Sequence, residues 1–164
     1  MLSFPENNHP RMTRQMIIEE LLEAIRFRMP TWGFLPFTIL HLQPKSIEIS
    51  NIRGEGIEGD MVIFLLRTDY TTADALDYIR NTSEMEELSD PGKRELTEHF
   101  FCKFRDEKEL SIWKQQRIAM ALGIMQAEAK KLNLNLTEHK VDLSAVVALN
   151  QIYGLSPQYL FEIS

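Results

Sequence analysis

Residues 107–132 read EKELSIWKQQRIAMALGIMQAEAKKL and form the longest periodic stretch of this chain. Large apolar residues return along it at helical spacing, and small residues such as Ala119 and Gly123 would let another backbone approach closely. This pattern predicts one long central helix that is packed on several sides. We expect Met120 to fill the core together with Met125. The apolar stripe consists of Leu110, Trp113, Ile118, Ala121, Leu122 and Met125.

Five other segments have the composition of strands. Residues 37–42 are rich in β-branched and apolar types, and residues 61–66 are a continuous apolar run, typical of a strand buried on both faces. Residues 46–50 and 132–136 alternate polar with apolar side chains, which predicts half-exposed strands. Residues 158–163 are expected to form the last strand.

Helix-capping residues divide the rest of the chain. Thr13 and Ser89 each precede a segment with helical spacing of apolar residues, and each can accept a hydrogen bond from the first turn. Residues 71–74 are expected to begin another helix. Pro30 disfavours helical geometry at Met29, so the first helix is expected to end there.

A further helix of about ten residues is expected near the C-terminus. Asp142 or Ser144 could cap it, and Gly154 is a typical residue to end it. Helices and strands therefore mix around one sheet, which predicts an α+β fold. We expect a single domain over residues 13–164, preceded by an extended N-terminal arm over residues 1–12.

Composition excludes several classes of protein. The 164 residues carry 18 basic and 24 acidic side chains, a formal net charge of -6, which disfavours a general nucleic-acid binder. No segment approaches the length of a membrane span or of a signal-peptide core, so we expect no membrane partner and a cytoplasmic location. The single cysteine, Cys102, allows no intrachain disulfide, as expected for a reducing compartment.

The sequence gives little support for a metal site or for a catalytic nucleophile. The four histidines do not have metal-ligand spacing. Cys102 and His99 stand three residues apart on a predicted helix, which allows a Cys–His pair, but no third residue is placed to orient it. The simpler interpretation of Cys102 is a semi-buried thiol in an apolar run.

Several segments resemble, in order, landmarks of the FMN-dependent nitroreductase family. Residues 22–26 (LEAIR) and 30–37 (PTWGFLPF) resemble the family's helix end and its loop, usually written Pro-Ser-Ser-x-x-x-Gln-Pro-Trp. Residues 111–123 resemble the Trp-x-x-Lys-Gln segment and the long helix at the dimer interface. Residues 132–142 and 153–155 resemble a stretch that reads Leu-Gly-x-x-x-x-Pro-Met-Glu-Gly-Phe-Asp and ends in a helix closing with Gly-Leu.

The resemblance implies a nitroreductase-like three-layer fold, in which helices flank a central mixed or antiparallel sheet. It further implies a homodimer that binds FMN, oxidises NAD(P)H and reduces a small-molecule electron acceptor such as a nitro compound or a quinone. The flavin carries the hydride chemistry in such enzymes, so no dedicated catalytic side chain is expected.

The resemblance also assigns eight residues to the flavin. Residues of the loop would line the ring, backbone after the third segment would approach the flavin N5, and arginines would bind the phosphate. Packing of the loop and solvation of a helix end are the simpler roles for two of them, Trp32 and Arg26. The eight are Thr31, Trp32 and Gly33 for the ring, His139 and Lys140 for N5, and Arg11, Arg14 or Arg26 for the phosphate.

The chain also departs from the family's pattern. Leu35 stands where the family has a glutamine, and His139-Lys140 stand where it has a Glu-Gly turn. The family holds the flavin phosphate with two basic motifs, an N-terminal Arg-Arg-Ser/Tyr and a C-terminal Lys-x-Arg. Neither motif occurs at the corresponding end of this sequence. A second hypothesis therefore stands beside the first: a nitroreductase-fold protein that holds no flavin and acts as a non-catalytic binding or interaction module.

Overall fold

The computed structural model describes residues 13–29, 32–44, 59–141 and 143–164. Within these ranges, four strands form one antiparallel sheet in the order β1-β2-β4-β3. The predicted strand at residues 46–50 lies outside the described ranges. The strands are β1 (Phe37–Leu42), β2 (Asp60–Leu66), β3 (Leu136–His139) and β4 (Ser156–Ile163).

Helices account for most of the remaining described residues. A short 3-10 turn at Trp32–Phe34 leads from the first helix into β1. The helices are α1 (Arg14–Arg28), α2 (Thr72–Arg80), α3 (Ser83–Glu86), α4 (Asp90–Lys103), α5 (Glu107–Lys131) and α6 (Leu143–Tyr153).

The predicted caps at the N-termini of α1 and α4 are confirmed, and α2 is also capped. The side chain of Thr13 accepts a hydrogen bond from the backbone of Met16, and that of Ser89 accepts one from Gly92. Thr71 and Asp74 form a reciprocal capping box at the start of α2. Local chemistry alone therefore sets where these three helices begin.

The sheet is covered on both faces, as the three-layer prediction requires. Val62, Phe64 and Phe161 point to one face and pack in the larger core, which includes residues of α1, α2 and α5. Met61 and Ile63 point to the opposite face and pack with Leu149 of α6. The continuous apolar run of β2 is thus buried on both sides, and the α+β class with an antiparallel sheet is confirmed.

The predicted strand at residues 132–136 is wrong, because the end of α5 uses most of it. Asn133 adopts a left-handed conformation (φ 54°), its N–H donates to Lys130 O, and the N–H of Leu134 donates to Ala129 O. These are the two hydrogen bonds of a Schellman motif, which ends the helix. The alternation of leucine and asparagine imitates a strand, whereas β3 begins only at Leu136.

Three smaller expectations were also wrong. Helix α5 is packed mainly on one side, and the side chains of Met120 and Ile112 on its other side are 45% and 43% exposed, so Met120 is not in the core. Cys102 is exposed rather than semi-buried. Ser144 lies inside α6 and does not cap it, while Asp142 lies outside the described residues.

Candidate functional site

The loop that leads into β1 is fixed by a buried tyrosine. The hydroxyl of Tyr70 donates to the carbonyl oxygen of Phe34 at 2.6 Å. Burial, followed by the nearby charge of Asp74, raises the pKa of Tyr70, so the hydroxyl keeps its proton and its role as donor. The ring of Tyr70 stacks on that of Trp113, with centroids 6.2 Å apart. Tyr70 therefore ties the loop to the core, in addition to the buried side chain of Leu35.

Two cations stand beside the same tyrosine. The guanidinium carbon of Arg67 lies 5.5 Å from the centroid of the Tyr70 ring, and the ammonium of Lys114 lies 5.7 Å from it. Sequence reasoning missed Arg67 and Tyr70. Lys114 falls within the Trp-Lys-Gln match but was not assigned to the site.

Gly33, predicted to line a flavin ring, lies in an open part of this loop. It is exposed, and a Cβ added to it would meet no atom within 4 Å. Backbone here can be approached by a ligand without displacing a side chain of the described chain. Thr31 and the side chain of Trp32 lie outside the described residues.

Arg14, one of the three predicted phosphate ligands, is already paired. Its Nε lies 2.8 Å from Oδ2 of Asp60, and its Nη2 donates to the carbonyl oxygen of Ile163. Asp60 is buried and also lies 3.0 Å from Nε2 of His41. This ionic cluster of Arg14, Asp60 and His41 joins the start of α1 to the starting end of β2 and the last residues of β4.

Arg26 lies far from Arg14. Twelve residues of one helix separate the two, which is roughly 18 Å along the axis. Arg26 is exposed, and its Nη1 lies 2.6 Å from Oε1 of Glu23. The structure therefore does not bring these two arginines together, and Arg11 lies outside the described residues.

The predicted N5 contacts lie on the opposite edge of the sheet from the loop. Nε2 of His139, at the end of β3, lies 3.0 Å from Oε1 of Glu162, whose Oε2 accepts a hydrogen bond from the backbone of Gly59 at 2.8 Å. Lys140 follows and is exposed. Strands β1 and β3 are the two edges, three strand spacings or roughly 14 Å apart. Within one chain, Gly33 and His139 therefore do not lie in the same site.

No alternative chemistry emerges elsewhere in the described part of the chain. No group of three or more histidine, cysteine or acidic side chains there could hold a metal ion. The ring of His99 packs edge-on against Phe100, with centroids 5.3 Å apart, and gives no sign of a thiol partner. No helix among the described residues is long and apolar enough to cross a membrane.

No family model and no curated protein matches the sequence. Solved structures do match. A nitroreductase-like protein of Streptococcus mutans, smu.346, superposes with a TM-score of 0.65 over 93% of this chain and 78% of its own, at 7% identity. A nitroreductase family protein of Streptococcus pneumoniae gives 0.62 over 94% and 82%, at 9% identity. The nitroreductase CinD of Lactococcus lactis, in complex with nicotinic acid, gives 0.60 over 93% and 78%, at 11% identity.

At such low identity the likeness concerns the path of the backbone and not the side chains of a site. It extends over 93% of the chain. The chain has a nitroreductase-like fold.

Proposed function

We propose that this protein is a divergent FMN-dependent oxidoreductase that uses NAD(P)H to reduce small electrophiles such as nitro compounds or quinones. The observation that carries the proposal is the nitroreductase-like fold over 93% of the chain. CinD, one of the similar structures, has been solved in complex with 4-nitrophenol and with chloramphenicol. The cytoplasmic location expected from the sequence remains a prediction.

The ring side of a flavin fits the loop at Gly33. The backbone there is open, and the bond from Tyr70 to Phe34 holds the loop in place without occupying it. Bound FMN would accept a hydride from NAD(P)H and pass reducing equivalents to the acceptor. The chain's own part is to hold that ring and to orient both substrates against it.

The arginines predicted to bind the FMN phosphate fit this role less well. Arg14 shares its charge with Asp60 and a backbone carbonyl, although its side chain is still 52% exposed. Arg26 is paired with Glu23. Of the two, Arg14 is the better candidate, because a half-exposed guanidinium has five N–H donors and can bind a phosphate while it keeps its carboxylate partner.

We further propose that the working unit is a homodimer. The outer side of α5 carries exposed Ile112 and Met120 next to small residues, among them Gly123, where an added Cβ would meet nothing within 4 Å. An apolar stripe with small residues suits close packing against a second helix. A dimer would also let the Gly33 loop of one copy meet the His139-Lys140 backbone of another.

The visible absorption spectrum of the purified protein is the first test. We expect flavin bands that survive desalting after FMN is added, and bleaching of those bands by NAD(P)H. Riboflavin, which lacks the phosphate, serves as the matched ligand. If Arg14 binds the phosphate, Arg14→Gln should reduce FMN affinity towards that of riboflavin, while Arg105→Gln, at an exposed position beyond α4, should leave it unchanged.

The pairing of Arg14 and Arg26 within the fold favours one second candidate, a flavin-free binding or interaction module. A colourless protein that retains neither FMN nor riboflavin would support this candidate and overturn the first.

The dimer has a separate test. Met120→Glu places a charge on the exposed side of α5, which also carries Ile112, and should yield a monomer in analytical ultracentrifugation. Phe27→Glu alters an equally large apolar residue on α1 that is 91% exposed, and it should leave the dimer intact. Dissociation by both variants, or by neither, would contradict the assignment of the interface to α5.

A further inference from the structure

A surface cavity of about 390 Å³ lies where α2 ends, beside α3 and the first two turns of α4. This volume falls in the range of small-molecule sites, roughly 300–1,000 Å³. Of the eight residues that the nitroreductase resemblance assigned to the flavin, those whose side chains the structure describes do not line it; these are Arg14, Arg26, Gly33, His139 and Lys140. Nothing in the proposed oxidoreductase function accounts for it.

The lining residues that the structure describes carry a net charge of plus one. Three cationic side chains line the cavity, together with the carboxylates of Glu86 and Glu98. Arg80 lies 3.5 Å from Asp77, whereas Lys93 and Arg94 form no ion pair within the described part of the chain. Two cations on one wall are therefore without an ion-pair partner among the side chains that the structure describes.

Their position on the helix adds to this potential. Lys93 and Arg94 lie in the first and second turns of α4, which begins at Asp90. The N-terminal end of a helix carries partial positive charge, so cations there are disfavoured and an anion is stabilised. A bound anion would neutralise the positive charge of these two side chains and of the helix N-terminus.

One apolar side chain, that of Met85, lines the cavity among the described residues. Met85 is only 3% exposed overall, so its thioether belongs to the wall of the core. The hydroxyl of Thr97 donates to the carbonyl of Lys93 at 2.7 Å and is used within the helix. Methionine adapts its shape to flat apolar groups and contacts aromatic rings favourably.

We propose that this cavity binds a small monoanionic carboxylate with an apolar, aromatic body. The planar fork of Arg94 matches a carboxylate, with Lys93 as a second cation, and Met85 would contact the ring. The net charge of plus one on the described lining residues matches a single negative charge. Glu86 and Glu98 would repel the second charge of a phosphate monoester.

Benzoate is the probe, and the methyl resonance of Met85 in protein labelled with 13C-methyl methionine is the reporter. We expect benzoate to shift this resonance with a dissociation constant in the millimolar range. Arg94→Gln should weaken binding about tenfold, since a charged hydrogen bond is lost. Arg105→Gln removes the same charge just beyond the other end of α4 and should have no effect. Benzamide, the neutral analogue, should bind at least as weakly as benzoate binds the Arg94 variant.

Three results would overturn the proposal: no shift of Met85 with benzoate, equal binding of benzamide, or equal affinity in Arg94→Gln. Tighter binding of phenyl phosphate than of benzoate would refute the argument from net charge. Lys93 and Arg94 have no ion-pair partner in the described chain, so the variant should keep its circular dichroism spectrum. Because no flavin is involved, the test is independent of the oxidoreductase proposal.

Discussion

Replacing Asp60 by asparagine should destabilise the protein much more than removal of a surface ion pair. Asp60 is the one charged side chain that is buried among the described residues, with 5% of its surface exposed. It lies 2.8 Å from Nε of Arg14 and 3.0 Å from Nε2 of His41. Asparagine keeps the shape of the side chain but removes the charge that both partners contact.

The size of the effect follows from how far each partner is buried. Breaking a fully buried pair costs about 3–5 kcal/mol, whereas an exposed pair contributes at most about 1 kcal/mol. Here Asp60 is buried, but the side chain of Arg14 is 52% exposed, so water can solvate Arg14 when the carboxylate is lost. We therefore expect Asp60→Asn to lower the free energy of unfolding by about 2 kcal/mol.

Urea unfolding followed by circular dichroism measures this difference. The matched control is Glu23→Gln, which removes the exposed partner of Arg26 and should cost less than about 0.5 kcal/mol. An equal slope with urea in wild type and both variants would show that the same surface is exposed on unfolding. A loss in Asp60→Asn no larger than that in the control would refute the view that this cluster holds α1 on the sheet.

Three further substitutions test local features of the fold. Tyr70→Phe should cost about 1 kcal/mol at neutral pH, because the carbonyl of Phe34 loses its donor. Burial raises the pKa of Tyr70 in the folded protein, so the unfolded chain loses the hydroxyl proton first as pH rises above about 10. Loss of this proton favours the unfolded chain. Urea unfolding above this pH should therefore show that the wild type loses stability more steeply than Tyr70→Phe. Gly154→Ala should lower the free energy of unfolding by about 1 kcal/mol, because φ at this position is +67°. Gly33→Ala, where an added Cβ meets no atom within 4 Å, should leave the stability unchanged; thermal melts of both variants measure the difference. Asn133→Val should cost about 1–2 kcal/mol for the same conformational reason, and a neutral result would contradict the left-handed cap at the end of α5.

Local chemistry in the sequence was enough to predict most elements. Thr13 and Ser89 act within four residues of where they stand, so their role as caps can be inferred without knowing the rest of the fold. The error at residues 132–136 has a different origin. Asn133 can serve either a period-two strand or a left-handed cap, and only the position of the end of α5 decides between them.

The candidate site could be predicted only in part, because its contacts join distant parts of the chain. Nothing near Arg14 in the sequence indicates that Asp60, 46 residues away, is its partner. The bond from Tyr70 to Phe34 spans 36 residues and has no local signature. Residue types identify groups that can bind a phosphate, but the fold decides which of them remain available.

The sheet order gives a last prediction that links flavin binding to assembly. Gly33 precedes one edge strand and His139 ends the other, with β2 and β4 between them. We therefore expect a flavin that contacts both regions to bind between two copies of the chain. The monomeric Met120→Glu variant should lose FMN although its own flavin residues are unchanged, and the loss should be visible in the same desalting experiment. Retention of FMN by that monomer would show that the flavin lies within one chain, and it would exclude the pairing of Gly33 with His139 in one site.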